Sequence, residues 1–133
     1  MADTEWRGEF TSDEVEALHL EAFGVAGPTT DWRGVVEAHS LGWVTARDDV
    51  GLTGFVNVLA DGGIHAWLQD VMVAERVRHQ GVGQALVGEA GRGAAAAGAE
   101  WLHVDFEPEL EDFYLRACGF SPTSAGLLRL SPA

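Results

Sequence analysis

Apolar positions recur along this chain in two periods. From Val15 the period is helical, with Val15, Leu18 and Ala22 on one face. Thr11-Ser12-Asp13-Glu14 ahead of them is a capping box, with Thr11 as N-cap and Glu14 at N3, and Gly24 is a C-terminal stop. Asp31 caps a second short helix over about 32–39. The period then drops to two. Residues 43–47 and 52–59 read as strands, joined through the turn residues Asp48-Asp49-Val50-Gly51 into a hairpin. Phe55, Val56, Val58 and Leu59 are apolar on both faces, as in a strand covered on both sides, and Asn57 is the one polar residue inside the run. Residues 5–10 are a candidate first strand.

The next strand, 64–73, changes phase. Ile64, Ala66 and Leu68 are apolar at even positions, Val71 and Val73 at odd ones. One extra residue between Leu68 and Val71 accounts for the slip, which is a β-bulge, and bulges often sit beside sites. A basic turn, 74–80, leads through Gly81-Val82-Gly83-Gln84 into a helix whose apolar face reads Val82, Ala85, Leu86, Ala90, Gly93 and Ala97. Gly88, Gly91 and Gly93 lie inside it, each costing about 0.5–1 kcal/mol relative to Ala, so this helix calls for close packing. Gly98 ends it. In the strand 101–107, Leu102, Val104 and Phe106 share one face and His103 and Asp105 the other. Pro108 starts a last helix that ends at Gly119, and 127–130 reads as a final strand. Strand, two helices, three strands, helix, strand, helix, strand predicts one α/β domain over 1–133, with helices on both faces of the sheet.

At 133 residues and 47% hydrophobic, the chain has ample material for one core. No apolar run approaches the roughly 18 residues of a membrane span. The acidic start, Met1 to Glu5, lacks an apolar signal core, and the single Cys118 makes no internal disulfide. Together these predict a reduced, cytoplasmic protein. A net charge of −13 argues against nucleic-acid binding and favours cationic partners. No Cys/His spacing suggests a metal site.

Against that acidic background, Arg76, Arg78 and His79 concentrate just before the glycine turn. Strand, glycine turn, helix aims unpaired N–H groups at an anion, and glycines at 81 and 83 let a phosphate approach the backbone. A Rossmann fingerprint would need glycine where Leu86 stands, and a P-loop would need lysine, of which there is none. What remains is Arg78-His79-Gln80-Gly81-Val82-Gly83, an R-x-x-G-x-G motif that resembles the acetyl-CoA signature of the GCN5-related N-acetyltransferase (GNAT) family. Asp70-Val71-Met72-Val73 ahead of it is similar to that family's strand. Phe113-Tyr114-Leu115-Arg116-Ala117-Cys118-Gly119-Phe120 is similar to its F-Y-x-x-x-G-F segment, with one helix and one strand between. The resemblance covers roughly residues 43–120.

The resemblance implies a GNAT-like mixed sheet in which the bulged central strand splays from its neighbour and admits the pantetheine arm of acetyl-CoA, the co-substrate. It implies cofactor contacts from Val71, Met72, Val73, Arg78, His79, Gln80, Gly81, Val82, Gly83 and Gln84. Tyr114, the only tyrosine, falls where the family has its general acid. Asp70, beside the bulge, and Glu107, at the end of the next strand, are candidate bases, with His103 and Asp105 weaker ones; many family members have Asn where Glu107 stands. The first two helices line the family's acceptor site, so Trp32 and His39 are either substrate contacts or, for Trp32, a packing anchor. Glu107, Glu109, Glu111 and Asp112 form an acidic cluster that suits a cationic amine or simple helix capping. The activity implied is acetyl transfer from acetyl-CoA to a primary amine, most simply a small cationic metabolite. A non-catalytic acyl-CoA sensor on the same fold is the alternative. Family members often dimerise.

Overall fold

Local sequence signals close the first helix. In the computed structural model, which describes residues 3–132, the Thr11 hydroxyl accepts from the Glu14 N–H at 3.2 Å and the Glu14 carboxylate accepts from the Thr11 N–H at 2.9 Å. They open α1 (Ser12–Phe23), and Gly24 ends it in the left-handed region at φ 74°. Asp31 caps α2 (Trp32–His39) by accepting from the Gly34 N–H at 3.1 Å.

One sheet runs in the order β1-β2-β3-β4-β5, from β1 (Asp3–Trp6) through β2 (Gly42–Arg47), β3 (Leu52–Ala60) and β4 (His65–Val73) to β5 (Trp101–His103). The first four strands are antiparallel neighbours, and β5 lies parallel to β4, so the sheet is mixed. The hairpin turn between β2 and β3 is fastened by the Asp48 carboxylate, which accepts from the N–H groups of Val50 and Gly51 at 2.9 and 3.2 Å.

Helices cover both faces. On one, α3 (Val82–Ala96) packs Val82, Leu86, Val87, Ala90 and Ala94 against Val44, Val56, Val58, Ala66 and Leu68. Its buried stripe therefore runs through Val87 and Ala94, where the sequence pattern has Ala85 and Ala97. On the other face, α1 and α2 enclose Phe10, Val15, Leu18, Trp32, Val36, Trp43, Phe55 and Met72. The glycines of α3 differ. A Cβ on Gly93 would fall 2.2 Å from the Trp6 ring, whereas one on Gly88 would meet only the Arg92 side chain at 3.6 Å. Close packing holds at Gly93 and not at Gly88.

The phase slip in β4 is a bulge. Phe55 pairs with Met72 and Asn57 with Gln69, so Val56 alone faces Asp70 and Val71 together. Asp70 takes up the extra length with φ 58°. The splay is present too. β5 pairs with β4 only over His65–Trp67, and from Leu68 onward β4 has no strand on that side among the described residues.

Four expectations change. The first strand is Asp3–Trp6 and stops before Phe10, which turns into the core. β5 ends at His103, because the splay takes residues 104–107 off the ladder. The last helix is a 3₁₀ turn, Pro108–Leu110, followed by a π-helical turn, Asp112–Ala117. Residues 127–130 form no strand; the leucines there stand in solvent. No helix among the described residues is long and apolar enough to cross a membrane.

Candidate active site

The glycine turn delivers backbone donors. After a 3₁₀ turn (Glu75–Val77), His79 and Gly81 both take positive φ, 65° and 83°, and Gly81 becomes the N-cap of α3 without a side-chain cap. The first intrahelical bond runs from the Ala85 N–H to the Gly81 carbonyl at 3.0 Å. Among the described residues the N–H groups of Val82, Gly83 and Gln84 find no acceptor. Three unpaired donors at the positive end of a four-turn helix suit phosphate oxygens. A Cβ at Gly81 would meet nothing within 4 Å, so the approach is open.

The two arginines divide. Arg76 forms a two-pronged ion pair with Asp48 in the β2–β3 turn, and this bond holds the Asp48 carboxyl down at about 2. Arg76 therefore anchors the loop to the hairpin. Arg78 is exposed and has no ion-pair partner among the described residues. It is the cation free for a ligand. His79 and Gln80 are exposed beside it.

Three segments converge at Gly83. A Cβ there would stand 3.1 Å from the Phe113 ring and 3.6 Å from the Val73 side chain. Gln84 Nε2 donates to the Ala117 carbonyl at 2.9 Å. The end of β4, the start of α3 and the turn carrying Tyr114 are thus tied together. Of the β4 residues expected to meet a cofactor, Val71 and Val73 are half-buried beside the opening, while Met72 is fully buried in the α1/α2 core and offers only backbone. Val82 likewise turns its side chain into the core.

Tyr114 is 5% exposed and set among aromatic rings. Phe106 stacks on it at 5.0 Å, and Phe113 and Phe120 meet it edge-on at 4.8 and 5.9 Å. The π-helical turn fixes it, with the Cys118 N–H reaching the Phe113 carbonyl at 3.0 Å and the Phe120 N–H the Tyr114 carbonyl at 3.0 Å. Burial, and secondarily Cys118, pushes the Tyr114 hydroxyl up to about 12. Burial also raises the Cys118 thiol. Trp32 Nε1 is the one sealed polar side-chain atom without a partner among the described residues, so the Tyr114 hydroxyl is not fully sealed from solvent.

Asp70 is half-buried in the bulge. Burial raises its carboxyl above the usual range, opposed by the positive form of His19 and by Gln69, whose side chain donates at 3.5 Å. Glu107 is exposed where the splayed segment ends, and Glu109, Glu111 and Asp112 beside it are exposed as well. His103 lies apart from this group, and Asp105 is exposed. His103 stacks on Trp67 at 4.8 Å and pairs with His65 at 2.8 Å, on the sheet face away from α3. Asn57 bonds to Ser40 rather than facing the opening. Trp32 is a packing anchor, 2% exposed, and His39 is exposed. Sequence reading did not reach two neighbours. Phe106 caps the Tyr114 ring, and its place in the alternation of 101–107 was the available signal. His19 bears on Asp70 across the α1–β4 packing, and no spacing connects residues that far apart in sequence. No cluster of three or more metal-ligating side chains occurs among the described residues.

The sequence model of the acetyltransferase (GNAT) domain matches residues 38–122, and the chain belongs to that family. No curated protein sequence matches the chain. Among solved structures it is similar to a probable acetyltransferase of unknown function from meticillin-resistant Staphylococcus aureus, at 21% identity and a TM-score of 0.80, covering 98% of this chain and 100% of that one. It is also similar to glucosamine-6-phosphate N-acetyltransferase from Arabidopsis thaliana, at 16% identity, a TM-score of 0.74 and coverage of 96% and 97%. A third is an aminoglycoside N-acetyltransferase in complex with CoA, at 17% identity, a TM-score of 0.73 and coverage of 100% and 97%. At these identities the likeness is one of fold.

Proposed function

We propose that this protein transfers the acetyl group of acetyl-CoA to the primary amine of a small cationic metabolite. The observation that carries the reading is the opening between β4 and β5, with unpaired α3 N–H donors on one side of it and the turn that bears Tyr114 tied to the same helix start through Phe113 and Ala117. The N–H groups of Val82, Gly83 and Gln84, with Arg78, hold the pyrophosphate of the co-substrate. The backbone of Val71 and Val73, freed of a β5 partner, holds its pantetheine arm.

Asp70 takes a proton from the acceptor ammonium, and burial, by raising its carboxyl above the usual range, makes it a stronger base than an exposed carboxylate. The free amine then attacks the thioester carbonyl, an amide C–N bond forms and the C–S bond breaks. Tyr114 donates its hydroxyl proton to the departing thiolate, and the second proton shed by the amine nitrogen as the amide forms passes through solvent to restore the tyrosine, leaving free thiol and acetamide. With its pKa near 12, that hydroxyl is protonated throughout the physiological range. The net charge of −13 and the exposed carboxylates of Glu107, Glu109, Glu111 and Asp112 draw a cationic acceptor to the mouth of the opening. Neighbours of the same fold named for amino sugars and aminoglycosides support the small-amine class.

The test is turnover of acetyl-CoA against a panel of amino sugars, polyamines and peptides, read as free-thiol release. Transfer to at least one small amine is expected. Tight acetyl-CoA binding with no transfer to any amine would replace the enzyme with an acyl-CoA sensor on the same fold.

A further inference from the structure

Trp67 belongs to neither core. Its neighbours Ala66 and Leu68 turn into the α3 core, and the α1/α2 core takes Met72 from the end of β4 and nothing from its start. Trp67 therefore stands on the sheet face away from α3, beside other rings of that face. His103 is its ladder partner on β5, and His65 lies two residues before it. His65 Nδ1 and His103 Nε2 are 2.8 Å apart with ring centroids at 5.0 Å, so one N–H···N hydrogen bond ties the two strands. His103 stacks on the indole at 4.8 Å, with 19° between the planes. The histidine pair thus holds Trp67 at the last β4 position that β5 covers.

The indole is held but not covered. Trp67 is 37% exposed, and Trp101, the ladder partner of His65, is 62% exposed. Arginines stand over other rings, Arg7 over Trp43 and Arg33 over Phe10, and none over these two tryptophans among the described residues. Two carboxylates adjoin the strands. Asp61, before β4, accepts from the N–H groups of Gly63 and His65 at 2.7 and 3.4 Å, and Asp105, two residues after His103, is exposed. An open indole free of an internal cation, on a protein of net charge −13, is a seat for an external ammonium.

Asp70 lies on the same face, since His19 of α1 bears on its carboxyl, whereas α3 and its donors lie behind the sheet. Trp67 precedes Asp70 by three residues, about 7–10 Å along a strand shortened by the bulge. We propose that Trp67, held by His103 and His65, binds a second ammonium of the acceptor, and that the preferred substrate is a linear diamine or polyamine. Three single bonds of an extended chain advance about 3.8 Å, so nitrogens about six to eight bonds apart fit this spacing. The inference rests on Asp70 as the base in the reaction proposed above, and it narrows the small cationic amine to that class.

Acetylation of diaminoheptane, heptylamine and diaminopropane tests this. Heptylamine has the same chain as diaminoheptane without the second nitrogen, and diaminopropane is too short to reach Trp67. The kcat/KM for diaminoheptane should exceed that for heptylamine by about tenfold, carried by KM, and diaminopropane should show no such advantage. Trp67→Leu should bring the ratio to within about threefold, and Trp67→Phe, which keeps an aromatic face, should retain part of it. Equal kcat/KM for diaminoheptane and heptylamine, or a preference that survives Trp67→Leu, would overturn the proposal and leave the acetyl-transfer reading standing. Isothermal titration of diaminoheptane into the CoA-bound protein reads the subsite without turnover. Binding that Trp67→Leu weakens about tenfold, with no transfer to any amine, would keep the subsite and remove the acetyl-transfer reading. Absence of any binding that depends on Trp67 would overturn the proposal.

Discussion

A Cβ placed on Gly83 would stand 3.1 Å from the Phe113 ring, and Phe113 is the residue before Tyr114. The first turn of α3 and the turn bearing the proposed acid are therefore packed to the limit of a missing methyl group. The proposed phosphate cradle and the proposed proton donor share this contact.

This contact gives the first prediction. Saturating CoA should raise the melting temperature, because a ligand that binds only the folded state stabilises it. Gly83→Asp puts a side chain against Phe113 and a negative charge among the N–H donors, so most of the CoA-dependent increment should vanish. Gly83→Ala should retain part of it, since Phe113 need yield only a few tenths of an ångström. Differential scanning fluorimetry with and without CoA reads both, and a full increment in Gly83→Asp would remove the pyrophosphate from this turn.

Two glycines of α3 should respond in opposite directions. Gly88→Ala meets only the flexible Arg92 side chain and should stabilise the protein by about 0.5–1 kcal/mol, because alanine leaves the unfolded chain fewer conformations. Gly93→Ala drives a methyl into the Trp6 ring and should destabilise it by about 1–3 kcal/mol. Urea melts of the two variants decide, and equal effects would contradict the packing of Trp6 on α3.

Asp70 should show a stability–activity conflict. Its folded pKa is raised, so between the ordinary carboxylate value and the raised one the folded state binds more protons than the unfolded state. Stability falls as pH rises through that window, and at neutral pH the ionised group is a cost. Asp70→Asn removes the cost and tolerates φ 58°, so it should melt at or above the wild-type temperature at pH 7. The gain should vanish below the ordinary carboxylate pKa of about 3.9. Amine acetylation should fall in the same variant. A neutral-pH loss of stability would mean that Asp70 is held by contacts rather than strained by burial.

Most of the architecture was legible because local chemistry wrote it. The capping box, the Asp48 turn, the alternation in β2 and β3 and the phase slip at Leu68–Val71 each have a physical cause within a few residues. The R-x-x-G-x-G turn and the F-Y-x-x-x-G-F segment pointed to the candidate site through their resemblance to the family's motifs. What escaped depends on neighbours distant in sequence. Arg76 belongs to Asp48 across a hairpin, a pairing that left Arg78 as the one free cation of the turn. Met72 faces the opposite core from Ala66 and Leu68, the even positions before it, because the bulge resets the alternation. The 127–130 run has the composition of a strand and forms none, since a strand also needs an edge to pair with, and composition does not supply one. The turn after Pro108 winds as 3₁₀ and then π, with Tyr114 set among Phe106, Phe113 and Phe120 from three separate stretches of the segment.

The central claim is that Tyr114 protonates the departing thiolate, and the comparison of Tyr114→Phe with wild type tests it most directly. The substitution keeps the ring and its aromatic contacts and removes one hydroxyl. Single-turnover acetyl transfer to the best amine of the panel should fall by roughly 10²–10⁴-fold. CoA affinity should change by less than about tenfold, because the α3 donors and Arg78 are untouched. The melting temperature should barely move, since the hydroxyl bonds to no residue among those described. Transfer at the wild-type rate in Tyr114→Phe, with CoA binding intact, would contradict the account and leave Tyr114 as a core residue.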